Sequence, residues 1–138
     1  MKWSVQITEL RPCGCDAEGE VRATLEDGTP FCFYYQGPDD EAENFFQVGQ
    51  VREVEIIVRM HRMATIEEQQ TKLIFSPEHC TVQIAGQITA IEECDDEPCY
   101  RLQSSLPFHV EIENDDATLA LGSWATLEGE LWATTDWW

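Results

Sequence analysis

Six cysteines are the residues of this chain with the most specific chemistry, and four of them fall in two close pairs. Cys13-Gly14-Cys15 and Cys94-Asp95-Asp96-Glu97-Pro98-Cys99 each interrupt a strand-like stretch at a turn. Four thiolates from two such loops are the donor set of a tetrahedral zinc site, although the single residue between Cys13 and Cys15 is fewer than the two to four of common zinc modules. The expectation is therefore no metal and no cofactor, with Cys13, Cys15, Cys94 and Cys99 as the ligands if one is bound. A Cys94–Cys99 hairpin disulfide is the alternative in an oxidising medium. His79-Cys80 is a weaker pair, and Cys32, between Phe31 and Phe33, reads as filler rather than a nucleophile.

Three histidines, His61, His79 and His109, carry no nucleophile elbow and no metal-binding His pair, so no catalytic residue is assigned and the chain is not expected to be an enzyme. The carboxylates are too numerous to single out an acid and a base. The 138 residues include 27 acidic and 8 basic side chains, a formal charge of −19. Residues 1–70 carry 14 acidic and 6 basic groups and residues 71–138 carry 13 and 2, so no single tail explains the excess. Such a surface repels phosphate backbones and raises the association rate with cationic partners. The segment Asp39-Asp40-Glu41-Ala42-Glu43-Asn44-Phe45-Phe46 combines acidic steering with aromatic anchors, so Asp39, Asp40, Glu41, Glu43, Phe45 and Phe46 are the expected partner-binding residues. Arg52, Arg59, His61 and Arg62, with Tyr34 as a stacking aromatic, form the competing nucleic-acid set.

These residues must be positioned by strands. Val5-Gln6-Ile7-Thr8-Glu9-Leu10 alternates at period two; Val21 to Leu25 leads through Asp27-Gly28 and Pro30 into Phe31-Cys32-Phe33-Tyr34-Tyr35; and Val54, Ile56, Val58 and Met60 share a face. A helix start at Asp39 or Asp40 predicts a short helix there, and one or two helical turns are expected over 64–71. Lys72-Leu73-Ile74-Phe75 makes a further short strand. The order then recurs: Ile7-Thr8 with Ile88-Thr89, Pro30-Phe31 with Pro107-Phe108, Asp39-Asp40 with Asp115-Asp116, and Gly49 with Gly122, at offsets falling from 81 through 77 and 76 to 73. The aromatics Phe31, Phe33, Tyr34, Tyr35, Tyr100 and Phe108 fall on second and third strands, where stacking platforms occur, but read as barrel core, and Trp132, Trp137 and Trp138 read as packing onto the fold rather than forming an interface.

The second half states the pattern most clearly, in Gly86-Gln87-Ile88-Thr89-Ala90-Ile91, Tyr100-Arg101-Leu102, Pro107-Phe108-His109-Val110-Glu111-Ile112, and Leu121-Gly122-Ser123-Trp124 running into Leu127-Glu128-Gly129-Glu130-Leu131. Three meandering strands, a crossover and a long strand resemble an OB fold, and the resemblance implies an architecture and a binding habit without catalytic residues. The expected fold is all-β: two OB-like barrels or half-barrels from an internal duplication, residues 1–76 and 77–138, separate or fused into one unit, with at most one or two short helices. The N-terminus lacks an apolar signal region and no run of about 18 apolar residues is present, so no membrane span and a cytoplasmic location with mostly reduced cysteines are expected. The function expected is a non-catalytic acidic protein engaging a basic protein partner, as an inhibitor, an immunity protein or a nucleic-acid mimic. A single-stranded nucleic-acid module is the second reading and a thiolate metal protein the third.

Overall fold

The computed structural model describes residues 2–94, 97–111, 119–134 and 137. Among the described residues, nine strands and one helix follow in the order β1 (Lys2–Pro12), β2 (Glu18–Thr24), β3 (Pro30–Gln36), α1 (Asp39–Phe45), β4 (Val51–Ile66), β5 (Lys72–Ser76), β6 (Thr81–Cys94), β7 (Glu97–Gln103), β8 (Pro107–Glu111) and β9 (Trp124–Ala133). The protein is all-β apart from α1 among the described residues. No helix there is long and apolar enough to cross a membrane. Two compact units form: Met1–Ile56 with Phe75–Thr81 and Leu131–Trp138, and Ile57–Ile74 with Val82–Glu130. The sequence halves thus share their ends, since 57–74 lies in the second unit and 131–138 in the first.

In the first unit, period-two alternation turns Trp3, Val5 and Ile7 of β1 inward, along with Val21 and Ala23 of β2 and Phe31, Phe33 and Tyr35 of β3, all buried. The three strands form an antiparallel meander, with Leu10 opposite Val21 and Val21 opposite Phe33. The Asp27-Gly28 turn closes β2 onto β3, the Leu25 N–H donating to the Thr29 carbonyl at 3.0 Å and the Thr29 N–H to Asp27 Oδ1 at 3.0 Å. That hydrogen bonding from Thr29 holds the Asp27 carboxyl below its ordinary range. The end of β9 lies parallel to β3, Tyr34 opposite Trp132, and the Thr134 N–H donates to the Glu55 carbonyl at 2.9 Å. The first half of β4 runs antiparallel to β1, from Lys2 opposite Glu55 to Gln6 opposite Val51, which closes a five-stranded ring in the order β1-β2-β3-β9-β4.

The second unit has the corresponding order. Strands β6, β7 and β8 form an antiparallel meander, β8 lies parallel to the far half of β4 with Val58 opposite Val110, and β9 neighbours both β4 and β6. Local details recur with it. The register of β1 on β2 shifts between Ile7 and Glu9, and that of β6 on β7 between Ile88 and Ala90. The Ile7 N–H donates to Gln50 and its carbonyl accepts from Gly49, at 2.9 and 2.8 Å; Ile88 does the same with Ser123 and Gly122, at 2.9 and 2.8 Å. Gly49 and Gly122 have φ of 89° and 84°, a region that glycine occupies without strain. Ile88, Leu127, Val58 and Val110 are buried in this unit.

Two local expectations are corrected. Residues 64–66 continue β4 and no helix occurs over 64–71, because β9 supplies the pairing: Thr126 Oγ1 donates to the Ala64 carbonyl at 3.5 Å. Helix α1 forms, but neither Asp39 nor Asp40 caps it; Pro38 takes the N-cap position, and the Asp39 N–H is instead satisfied by Asp16 Oδ1 at 2.9 Å. Asp16 itself sits at φ 61°, at the tip of the β1–β2 loop.

Tyr35 is the most unusual core residue. Its ring packs against Phe46 and Trp137, and its hydroxyl is buried without a hydrogen-bond partner among the described residues. Gly19 opposite it has no side chain because a Cβ there would fall on the phenol oxygen. Burial pushes the Tyr35 pKa up to about 12 from 10.0, with the charges of Asp39 and Glu43 adding to it. The native state therefore favours the neutral phenol, and stability present below pH 10 is expected to be lost as pH rises toward 12. Tyr35→Phe removes the orphaned hydroxyl and is expected to stabilise by about 1 kcal/mol while flattening that alkaline loss, read by urea titration at two pH values.

Candidate functional site

The alternation that sends Phe31, Phe33 and Tyr35 into the core puts Cys32 and Tyr34 on the opposite face of β3. The register then sets Glu20 beside Tyr34 and Arg22 beside Cys32, while Arg11 of β1 lies opposite Glu20 and Trp132 of β9 opposite Tyr34. These residues build one face of the first unit. The Tyr34 and Trp132 rings lie 5.0 Å apart, tilted by 40°, and the Tyr34 hydroxyl donates to the His79 carbonyl at 3.3 Å, which fixes the ring. Together with Glu18, Gly19, Glu20 and Arg11 they line a groove of 480 Å³.

Arg11 Nε lies 3.1 Å from Glu9 and its Nη1 3.5 Å from Glu20, so Glu9 first and Glu20 second hold the guanidinium pKa above its ordinary value. Arg22 Nε approaches Glu9 at 3.5 Å. Arg11 remains about half exposed and is screened, which makes its hold on Glu20 weak. Two aromatic faces beside two carboxylates are the features that receive an ammonium or guanidinium group, through ring quadrupole and charge together.

The expected partner-binding residues divide by burial. Asp40, Glu41 and Glu43 are exposed on α1 and Asp39 is half-buried. Phe46 is not a surface anchor: it is 1% exposed, with its ring against Phe33, Tyr35, Phe45 and Trp137, because a seven-residue helix with an acidic outer face needs an apolar inner one. Phe45 is half-buried between Trp137, at 5.7 Å, and the Arg52 guanidinium, 5.2 Å above its ring. Trp137 packs on this cluster and donates its Nε1–H to the Gln36 carbonyl at 3.2 Å. Trp138 lies outside the described residues.

The nucleic-acid set is divided between the two units. Arg52 and Tyr34 belong to the first unit, and Arg52 is turned back to the Phe45 carbonyl at 2.9 Å. Arg59, His61 and Arg62 belong to the second, where Glu111 lies 3.9 Å from Arg59 and Glu130 2.9 Å from His61. Arg62 lines a separate groove of 370 Å³ with Lys72, Ile84, Leu127 and Glu128. His109 Nε2 lies 4.0 Å from Glu92.

The cysteine expectation needs correction as well. Cys13 and Cys15 are joined to each other, and Cys32 to Cys80 with Cα atoms 4.5 Å apart, within ordinary disulfide reach. Cys99 is also disulfide-bonded, and the Cys94 side chain lies outside the described residues. Cys13, Cys15 and Cys99 therefore present no thiolate to a metal in this state, and the cysteines are not mostly reduced thiols. Sequence reading missed the Glu20–Cys32–Cys80 cluster, whose three potential ligand atoms lie within 4.8 Å of one another. The phase of β3 puts Cys32 and Tyr34 on one face, but nothing local indicates that Cys80, 48 residues on, joins them.

No family model matches the chain, and no curated protein does. Among solved structures, the cytoplasmic molybdate-binding protein ModG, crystallised with molybdate bound, is 14% identical over 94% of this chain and 89% of that one, with a TM-score of 0.47.

Proposed function

We propose that this protein is a non-catalytic acidic binding protein whose partner is a basic protein, and that the Tyr34–Trp132 groove receives one of that partner's lysine or arginine side chains. The observation that carries this reading is the pairing of two held aromatic rings with Glu18 and Glu20 in a groove of side-chain size. The −19 charge supplies long-range attraction, and the exposed Asp40, Glu41 and Glu43 of α1 extend the acidic surface of the same unit. Each unit is read here as an OB-like barrel of duplicated origin. The ring orders, the repeated bulge and the matched bonds at Ile7 and Ile88 support that reading, with the fifth strand taken from the end of β9 in the first unit and from the end of β4 in the second.

An arginine-rich peptide titrated against the protein tests the function through tryptophan fluorescence. Trp132→Ala is expected to weaken binding roughly tenfold, the equivalent of about 1.4 kcal/mol. Neutral isosteres at Asp39, Asp40, Glu41 and Glu43 are expected to reduce the salt dependence of the association rate. A single-stranded oligonucleotide that binds tightly at physiological salt, and is lost on changing Arg59 and Arg62, would instead establish the nucleic-acid reading.

A further inference from the structure

We propose that reduction of the Cys32–Cys80 disulfide opens a site for a thiophilic divalent cation, zinc above all, with the two thiolates and the Glu20 carboxylate as its ligands. Cys32 is 1% and Cys80 0% exposed, whereas the Glu20 side chain is 23% exposed and borders the groove. The sulfurs are thus fixed inside while the carboxylate stands on the side from which an ion enters. Glu20 Oε2 lies 3.6 Å from Cys80 Sγ, and all three donor atoms fall within 4.8 Å. Cys80 holds φ at 52°, and its carbonyl accepts the Leu131 N–H at 2.9 Å. The backbone that aims these sulfurs therefore does not depend on the sulfur–sulfur bond alone.

In the oxidised state neither sulfur carries a proton, so Cys80 offers the Glu20 carboxylate no hydrogen. Reduction changes the chemistry of the cluster. A dithiol reductant delivers two electrons and two protons, the sulfur–sulfur bond breaks, the reductant becomes a disulfide, and two thiols stand beside Glu20. A neighbouring carboxylate disfavours ionisation of those thiols, and a dication reverses that preference. Binding displaces the two thiol protons and leaves a site of net charge −1. Arg11 must release Glu20, a small loss for a half-exposed pair. Arg22, opposite Cys32 on β2, has its Nε 3.5 Å from Glu9. Three protein ligands of sulfur and oxygen type suit tetrahedral zinc with one position left to water.

Cobalt(II) is the probe, because thiolate ligation gives it charge-transfer absorption in the near ultraviolet. In a variant with Cys13, Cys15, Cys94 and Cys99 changed to alanine, cobalt added after reduction is expected to bind one ion per chain, with thiolate absorption that disappears on reoxidation. Glu20→Gln in that background is expected to weaken binding, and Cys32→Ser to abolish the absorption. As a measurement on the unaltered chain, zinc added after reduction should protect Cys32 and Cys80 from alkylation. Absence of cobalt binding in the four-cysteine variant, equal binding before reduction, an unchanged affinity in Glu20→Gln, or equal alkylation of Cys32 and Cys80 with and without zinc would each overturn the assignment. Should Cys32→Ser fail to fold, the four-cysteine variant and the alkylation pattern still decide.

Discussion

Phe31→Ala is expected to destabilise the protein by roughly 3–5 kcal/mol, the range for truncating a large buried aromatic, and to lower the urea midpoint accordingly. Phe31 is 1% exposed and lies at the centre of a ring cluster, with centroids of Trp3 at 5.8 Å, Phe33 at 5.8 Å and Phe75 at 5.4 Å. Three elements, β1, β3 and β5, meet on that one side chain, so collapse of the surroundings cannot refill the space without moving a strand. Tyr34→Ala, one strand position out of phase with the core, lacks this consequence: its ring stands on the groove face, and truncation there should act on peptide binding more than on the urea midpoint. The comparison of the two variants separates the core face of β3 from its groove face.

The meander of each half was legible because its signal is local. Val5 and Ile7, or Phe31 and Phe33, alternate within a single strand, and burial of those residues follows from period two. What could not be read is what depends on distant residues. Residues 61–66 carry His61, Arg62 and Thr65 without clean alternation, yet they extend β4 because β9, more than 60 positions on, pairs with them. The division of the chain at residue 76 missed the true grouping for the same reason, since the end of β4 belongs to the second unit and the end of β9 to the first. The groove followed the same rule. Tyr34 was singled out only as a stacking aromatic of the nucleic-acid set, and its place beside Trp132 needed a parallel register that no stretch of sequence states. Phe46 misled because acidic neighbours made it look like a displayed anchor, while the helix rotates it inward.

Gly129→Ala is expected to destabilise by roughly 2–3 kcal/mol or more, at the upper end for overpacking. Gly129 lies in β9, and a Cβ at that position would stand 2.5 Å from the Arg59 carbonyl oxygen and 2.7 Å from Val58 Cγ1. The nearest atom is backbone, so relief requires β4 and β9 to separate, and that pairing holds the far end of β4 in the second unit. Gly49→Ala and Gly122→Ala are the controls. A Cβ at either meets nothing within 4 Å, so only the left-handed backbone, at φ 89° and 84°, opposes it. Each should cost about 1–2 kcal/mol. If the units share an origin, the two costs should agree closely, because the Ile7–Gly49 and Ile88–Gly122 bonds that fix the turns are alike at 2.8 Å. Urea titration of the three variants checks both points: a Gly129→Ala cost no larger than that of the controls would show that β4 and β9 yield to each other more readily than their contact implies, and unequal costs at Gly49 and Gly122 would count against the duplication.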